Sequence, residues 1–258
     1  MTTVRCCVAT VLCALRPMAL AILLVHGWLA TAAAACDLAG AEPVTVLRLA
    51  ETGDLFLADG RIITLEGIDW PARDEPARRA ALVSALEHLF TAGSVRALFS
   101  VGVDRWRRQT AQLAVVVAGD TAWIQGMLLE DGLTFAWSGA AAPRCWPDLL
   151  SHEALAREAG RGLWSAPPSP SRITARVIYE GRVRSVRPGR RMTFVNFDSP
   201  GGQSPGWMLT QRQMAAFRQA GRDPATFVGK RLRLRAVAEP GEKRRLTAVA
   251  PHMVEVLE

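Results

Sequence analysis

The chain has 258 residues, with 31 Lys and Arg against 24 Asp and Glu and a formal net charge of +7. That length leaves room for a targeting segment and two small domains. A basic excess argues against a purely structural role without an anionic partner.

Residues 1–35 read as a secretory signal. Arg5 and Arg16 make a positive start, and no acidic residue precedes Asp37. Met18 to Val25 is an apolar run, and small residues crowd Thr31 to Ala35, where a signal peptidase would cut. The run is short for a ~20-residue membrane span. Cleavage is therefore the expectation, with the mature chain periplasmic or secreted and holding no stable span. Two further readings stay open: an uncleaved N-terminal anchor, and a lipoprotein, because Ala33 to Cys36 resembles a lipobox with Ala where Leu is usual.

Cys6, Cys7 and Cys13 leave with the signal, so the mature chain keeps Cys36 and Cys145. An even count in an oxidising compartment predicts one disulfide between them. It would close a loop of about 110 residues, for which chain entropy gives on the order of 4 to 5 kcal/mol. A lipidated Cys36 would instead leave Cys145 free.

The first domain begins with an alternating, β-branched strand over 44–49, a turn at 51–54, and a strand at 55–57. An Asp-Gly hairpin turn at 58–60 leads into a strand over 61–65. Helical spacing follows over 76–91, with Leu82, Leu86, Leu89 and Phe90 on one face and Gly93 at the end. Strands are predicted over 95–103 and 112–117, and helices over 123–131 and 149–160. The fold class is α+β, mainly β: a small barrel with packed helices, of which a five-stranded OB-type barrel is one member. Periodicity alone does not single that member out.

Ser165 to Ser171, rich in Pro and Ser, reads as a linker between domains 36–164 and 172–258. Residues 36–171 carry 12 basic against 17 acidic residues, a net −5, and residues 172–258 carry 17 against 7, a net +10. The basic half points to nucleic acid or another polyanion, such as a phosphorylated lipid or an acidic envelope polymer. A solvated basic face has the same composition.

Five segments then stand in order: Thr52 to Leu55, Thr64 to Ala72 (with Gly67-Ile68-Asp69), Asp104 to Arg108, Asp131-Gly132-Leu133, and Glu153 to Arg157 followed by Gly160 to Trp164. Together, over about 120 residues, they resemble the thermonuclease (staphylococcal nuclease-like) family, whose motifs are D-G-D-T, R-L-x-G-[IV]-D-x-P-E, D-[RK]-Y-G-R, Gly-Leu and E-x-x-A-[RK]-x-x-x-x-G-[IL]-W. The resemblance implies an OB-type barrel and phosphodiester hydrolysis of DNA or RNA, usually with one Ca²⁺. It implies Asp54 and Asp69 as metal carboxylates and Arg108 as a catalytic arginine for the phosphoryl charge. The chain departs from the family at Thr64, where the first arginine belongs, and at Ala72, where the glutamate belongs. Trp106 and Arg107 replace the usual Tyr and Gly. Losing a charge-stabilising donor costs ~10²–10³ in rate, and losing a general base ~10²–10⁴. Weak or absent hydrolysis is the expectation unless Asp74 or Glu75, and Arg61 or Arg73, fill the gaps. His88 and His152 lack partners at metal-ligand spacing and read as structural or surface residues.

In the second domain, strands are predicted over 177–186, 192–197, 206–209, 229–237, 246–249 and 253–257, with a helix over 212–220. This is a second small β-barrel-like domain, OB-like in pattern. Arg231, Arg233 and Arg235 share a strand face by alternation. With Arg182 and Arg184 they form a candidate phosphate-tracking surface, with Trp207, Phe194 and Phe197 as candidate stacking platforms. Core packing of the aromatics and solvation of the arginines are the competing readings. The alternative function is thus a non-catalytic nucleic-acid or polyanion-binding envelope protein.

Overall fold

A computed structural model describes residues 36–73, 75–139, 141–165, 176–198, 205–239, 245–248 and 250–257. The expected signal, nearly all of the expected linker and Asp74 lie outside the described residues.

The first sheet comprises β1 (Glu42–Val44), β2 (Val46–Leu49), β3 (Leu55–Leu57), β4 (Ile62–Leu65), β5 (Ser94–Phe99), β6 (Arg108–Val117) and β7 (Asp120–Trp123), in the order β1-β5-β6-β4-β3-β2 with β7 on β6. Only the β4–β6 pair is parallel. The sheet ends, β1 and β2, are separated by Thr45 alone, so the predicted first strand is a bent one serving both ends of a curled half-barrel. Its concave side holds Leu55, Ile63, Leu113 and Val115, covered by Leu82 and Leu86 of α1 (Pro76–Ala92) and Leu128 of α2 (Ile124–Glu130). α3 (Trp146–Glu158) adds Leu149; it begins earlier than predicted because Pro147 suits a first helical turn. The expected bridge is formed: Cys36 and Cys145 are bonded, with Cα atoms 5.3 Å apart.

The second sheet holds β8 (Arg176–Pro188), β9 (Met192–Phe197), β10 (Gly206–Thr210), β11 (Arg231–Glu239), β12 (Arg245–Ala248) and β13 (Val254–Val256). β12 pairs in parallel with β10 and antiparallel with β11, which closes β8-β9-β10-β12-β11 into a five-stranded barrel. The closed barrel is therefore the C-terminal one, whereas the five-stranded barrel was expected in the first domain. α4 (Gln211–Gln219) sits between β10 and β11 and starts at a reciprocal cap, in which Thr210 Oγ1 accepts from Gln213 N and Gln213 Oε1 accepts from Thr210 N. Both architectures are mixed α+β, one a curled half-barrel and the other a closed barrel.

The half-barrel and the closed barrel belong to one compact unit. Phe135 and Trp137 of the first pack with Ala250 and Met253 of the second in a common cluster.

Candidate functional site

The β2–β3 turn presents Asp54. Gly53 takes φ 86°, and a Cβ there would lie 2.5 Å from the Trp70 ring, so only glycine lets Trp70 seat the turn. Trp70 Nε1 donates to Glu51 O at 2.9 Å. Asp54 accepts from Thr52 Oγ1 at 2.7 Å and from Arg108 Nη1 at 2.9 Å. Arg108 also donates through Nε to Asp104 Oδ2 at 2.9 Å. Asp104 Oδ1 in turn accepts the Trp106 and Arg108 amides. Hydrogen bonding to Asp104 raises the Arg108 pKa against the opposing effect of its partial burial, and Asp54 adds to the rise. Asp54 and Arg108 thus lie side by side as an ion pair, with Asp104 as the second carboxylate on the same guanidinium.

Cross-strand register aligns Arg48, Phe56, Ile62 and Arg108 in one row. Arg48 lies 3.7 Å over the Phe56 ring, and Arg105 lies 3.9 Å over the Trp106 ring, which is 57% exposed. Asp54, Phe56, Ile62, Trp106 and Arg108 line an open pocket of about 300 Å³. Aromatic faces beside guanidinium groups are what a nucleotide's base and phosphate require. In the sequence Trp106 stands out only as a replacement for the usual Tyr of the D-[RK]-Y-G-R motif.

Asp69 lies elsewhere in chemical terms. It is 3% exposed. Its Oδ2 accepts from Arg78 Nη2 at 2.7 Å, and its Oδ1 from Arg176 Nη1, the first residue of β8, also at 2.7 Å. The second barrel thus supplies half of the clamp on this carboxylate. A Ca²⁺ ion takes six to eight oxygen ligands. The donor set here is a carboxylate tied to Arg108 and another held between two guanidinium groups. Among the described residues no group of three His, Cys, Asp or Glu could hold a metal. These residues do not fit a Ca²⁺ site.

Two of the candidate substitutes, Glu75 and Arg61, are engaged with other partners. Thr64 pairs with Thr110 in the sheet, and Ala72 is exposed. Glu75 is bonded to Arg78 and to the Ala72 amide. Arg61 pairs with Glu42 at 2.6 Å and with Asp59, while Arg73 is exposed. Asp74 is outside the described residues. His152 bonds Glu130 at 2.7 Å and meets Trp123 edge-on, a structural role.

The surface expected on the second domain is not assembled. Arg231, Arg233 and Arg235 do share a face, but it turns toward acidic side chains and the first barrel. Arg235 is fully buried, paired with Glu153 of α3 and Glu255 of β13, and donates through Nε to Ala136 O at 2.9 Å. Glu153, also fully buried, accepts from the Ala136 amide at 2.7 Å. Arg233 is 7% exposed and joins Glu180 at 2.7 Å to Glu255 at 3.1 Å, and Arg231 also pairs with Glu180. Trp207 has no exposed surface; it packs edge-on to Phe217 and stacks near Phe227 in the barrel core, so it is no stacking platform. Phe197 is likewise core. Arg182, Arg184 and Phe194 remain on the surface. Alternation identified the face of β11 but not what packs on it.

No protein-family model matches this sequence, and no curated protein matches it. What the fold and site define is a mixed α+β protein, a curled half-barrel followed by a closed five-stranded barrel, in which Asp54 and Asp69 are each neutralised by arginines.

Proposed function

We propose that the chain is an exported, thermonuclease-like protein that binds nucleic acid and hydrolyses it weakly or not at all. The observation that carries this reading is Asp69. The carboxylate that resemblance assigns to the metal is buried between Arg78 and Arg176. With Thr64 and Ala72 in the positions of the family's arginine and glutamate, hydrolysis lacks its metal ligand, its second cation and its base together. A binding role survives those losses, because the Arg48–Phe56 and Arg105–Trp106 stacks beside Arg108 need no metal. The disulfide supports export to an oxidising compartment.

The test is incubation of the purified protein with single-stranded DNA and RNA, with Ca²⁺ and with chelator, beside an Asp54→Ala, Asp69→Ala double variant. The expected result is binding without Ca²⁺-dependent cleavage. Cleavage that needs Ca²⁺ and vanishes in the double variant would overturn the reading in favour of a rebuilt nuclease.

A further inference from the structure

The β8–β9 hairpin carries arginines at 182, 184, 187, 190 and 191, with no acidic residue between Glu180 and Asp198. All five are exposed. Unlike the three on β11, which acidic side chains neutralise, Arg184, Arg187, Arg190 and Arg191 have no ion-pair partner among the described residues. Their charge is available to a ligand.

The hairpin also offers a ring. Register places Arg187 opposite Phe194, and Phe194 opposite Met208, in one row across β8, β9 and β10. Val195 and Trp207, next along their strands, point into the core, so Arg187 and Phe194 face outward, while Met208 at the end of the row is covered. Phe194 is 42% exposed. The Gly189 amide donates to Met192 O at 2.8 Å to close the turn, and a Cβ on Gly189 would come within 3.2 Å of the Phe194 ring. The turn therefore supports the ring from one side. Further along the same strands, Asn196 Nδ2 donates to Ser185 Oγ at 3.1 Å, a polar patch within reach of a base edge.

We propose that this hairpin face binds single-stranded nucleic acid, with Phe194 stacking on a base while Arg184, Arg187, Arg190 and Arg191 contact phosphates. The proposal rests on the nucleic-acid reading above and gives it a surface separate from the Trp106 pocket. The ring selects a single strand, because the bases of a duplex keep their faces stacked on one another. The charged hairpin tip argues against a lipid surface: Pro188 to Arg191 presents two arginines where membrane insertion would need apolar side chains.

The experiment is fluorescence anisotropy with a labelled oligothymidine of about 20 nucleotides and a duplex of equal length, over a range of salt. The protein is purified after expression of the full chain. Phe194→Ala is expected to weaken single-strand binding about tenfold, and Phe194→Trp to restore it. An Arg190→Ala, Arg191→Ala variant should flatten the dependence of log K on log salt by roughly 0.7 per arginine. All these positions are exposed, and an unchanged thermal melt confirms that the fold is intact. Binding indifferent to these changes but abolished by Trp106→Ala would overturn this surface while leaving the nucleic-acid reading standing. No binding to any oligonucleotide would overturn both. Preference for the duplex, or retention on anionic phospholipid vesicles in place of the oligonucleotide, would overturn the single-strand assignment.

Discussion

At Asp69 the metal-site and clamp interpretations predict opposite outcomes. In an empty metal site, deleting a carboxylate relieves repulsion and stabilises the metal-free protein. Here Asp69 is bonded to two guanidinium groups in a buried socket, and the Arg78 side chain is only 11% exposed. Removing one partner of a buried pair strands the other at ~3–5 kcal/mol. We expect Asp69→Ala to lose stability of that order in urea unfolding without metal. Arg176→Ala should cost less, nearer ~1 kcal/mol, because its side chain is 45% exposed and Arg78 remains in place. An Asp69→Ala protein as stable as its parent would refute the clamp. A second test lies at Arg107, which holds φ 62° where the thermonuclease motif that this segment resembles has glycine. Arg107→Gly should stabilise the 104–108 turn by on the order of 1 kcal/mol, read as a higher urea midpoint. The sequence revealed part of this site. The motif order singled out Asp54 and Arg108, which the structure brings into contact. Arg176 did not, because its partner lies 107 residues away across the linker and no local pattern encodes such a pairing.

The Cys36–Cys145 bridge ties the start of the described chain to the start of α3. Cys36 is itself buried in the first core. Opening a loop of this length releases unfolded-state entropy worth about 4 to 5 kcal/mol in the chain model. A Cys36→Ser, Cys145→Ser variant should lose stability of that order, and the parent should lose as much when unfolded under reductant. A loss below about 1 kcal/mol would mean that packing alone fixes this segment. Such a long-range link was legible because only two cysteines survive the expected signal. Local elements were legible where punctuation is strong. The strands at 55–57 and 192–197 fall where the sequence predicts them, and the hairpin at 58–60 turns at Gly60 with φ 86°. The misses occur where tertiary pairing decides. The strand predicted over 95–103 ends at Phe99, where pairing with β6 stops and the exposed 101–103 stretch with Gly102 at φ 91° begins. β7 is strand only because it pairs with β6, and its four residues carry no distinctive pattern of their own.

Across the whole molecule, the opposite charge of the two halves is partly consumed where they meet. Arg176 and Arg235 of the basic half are neutralised by Asp69 and Glu153 of the acidic half. The same interface contains His252, whose carbonyl accepts from Trp146 Nε1 at 3.0 Å. Ser138 Oγ donates to Ala141 O at 2.7 Å, so in its 2.8 Å contact with His252 it accepts from an Nε2–H. Burial, and then the Arg222 charge, holds the His252 pKa below its ordinary 6.5. The unfolded chain therefore takes up a proton at a higher pH than the folded one. Stability from this group is complete above about pH 6.5 and is lost as pH falls through the folded value. Glu255 acts in the same direction further down: burial opposes its ionisation, but Arg235 and Arg233 outweigh it and hold its pKa below 4.5. We expect the melting temperature to fall as the pH drops below about 6.5, where the unfolded chain protonates His252 first, and again below about pH 4.5. His252→Asn should flatten the first fall and Glu255→Gln the second. Because Arg235 joins β11, β13 and α3 in one buried network, both falls should appear as a single cooperative transition of the two barrels. Two separate melting transitions, or a first fall unchanged in His252→Asn, would mean that the barrels fold independently of this interface.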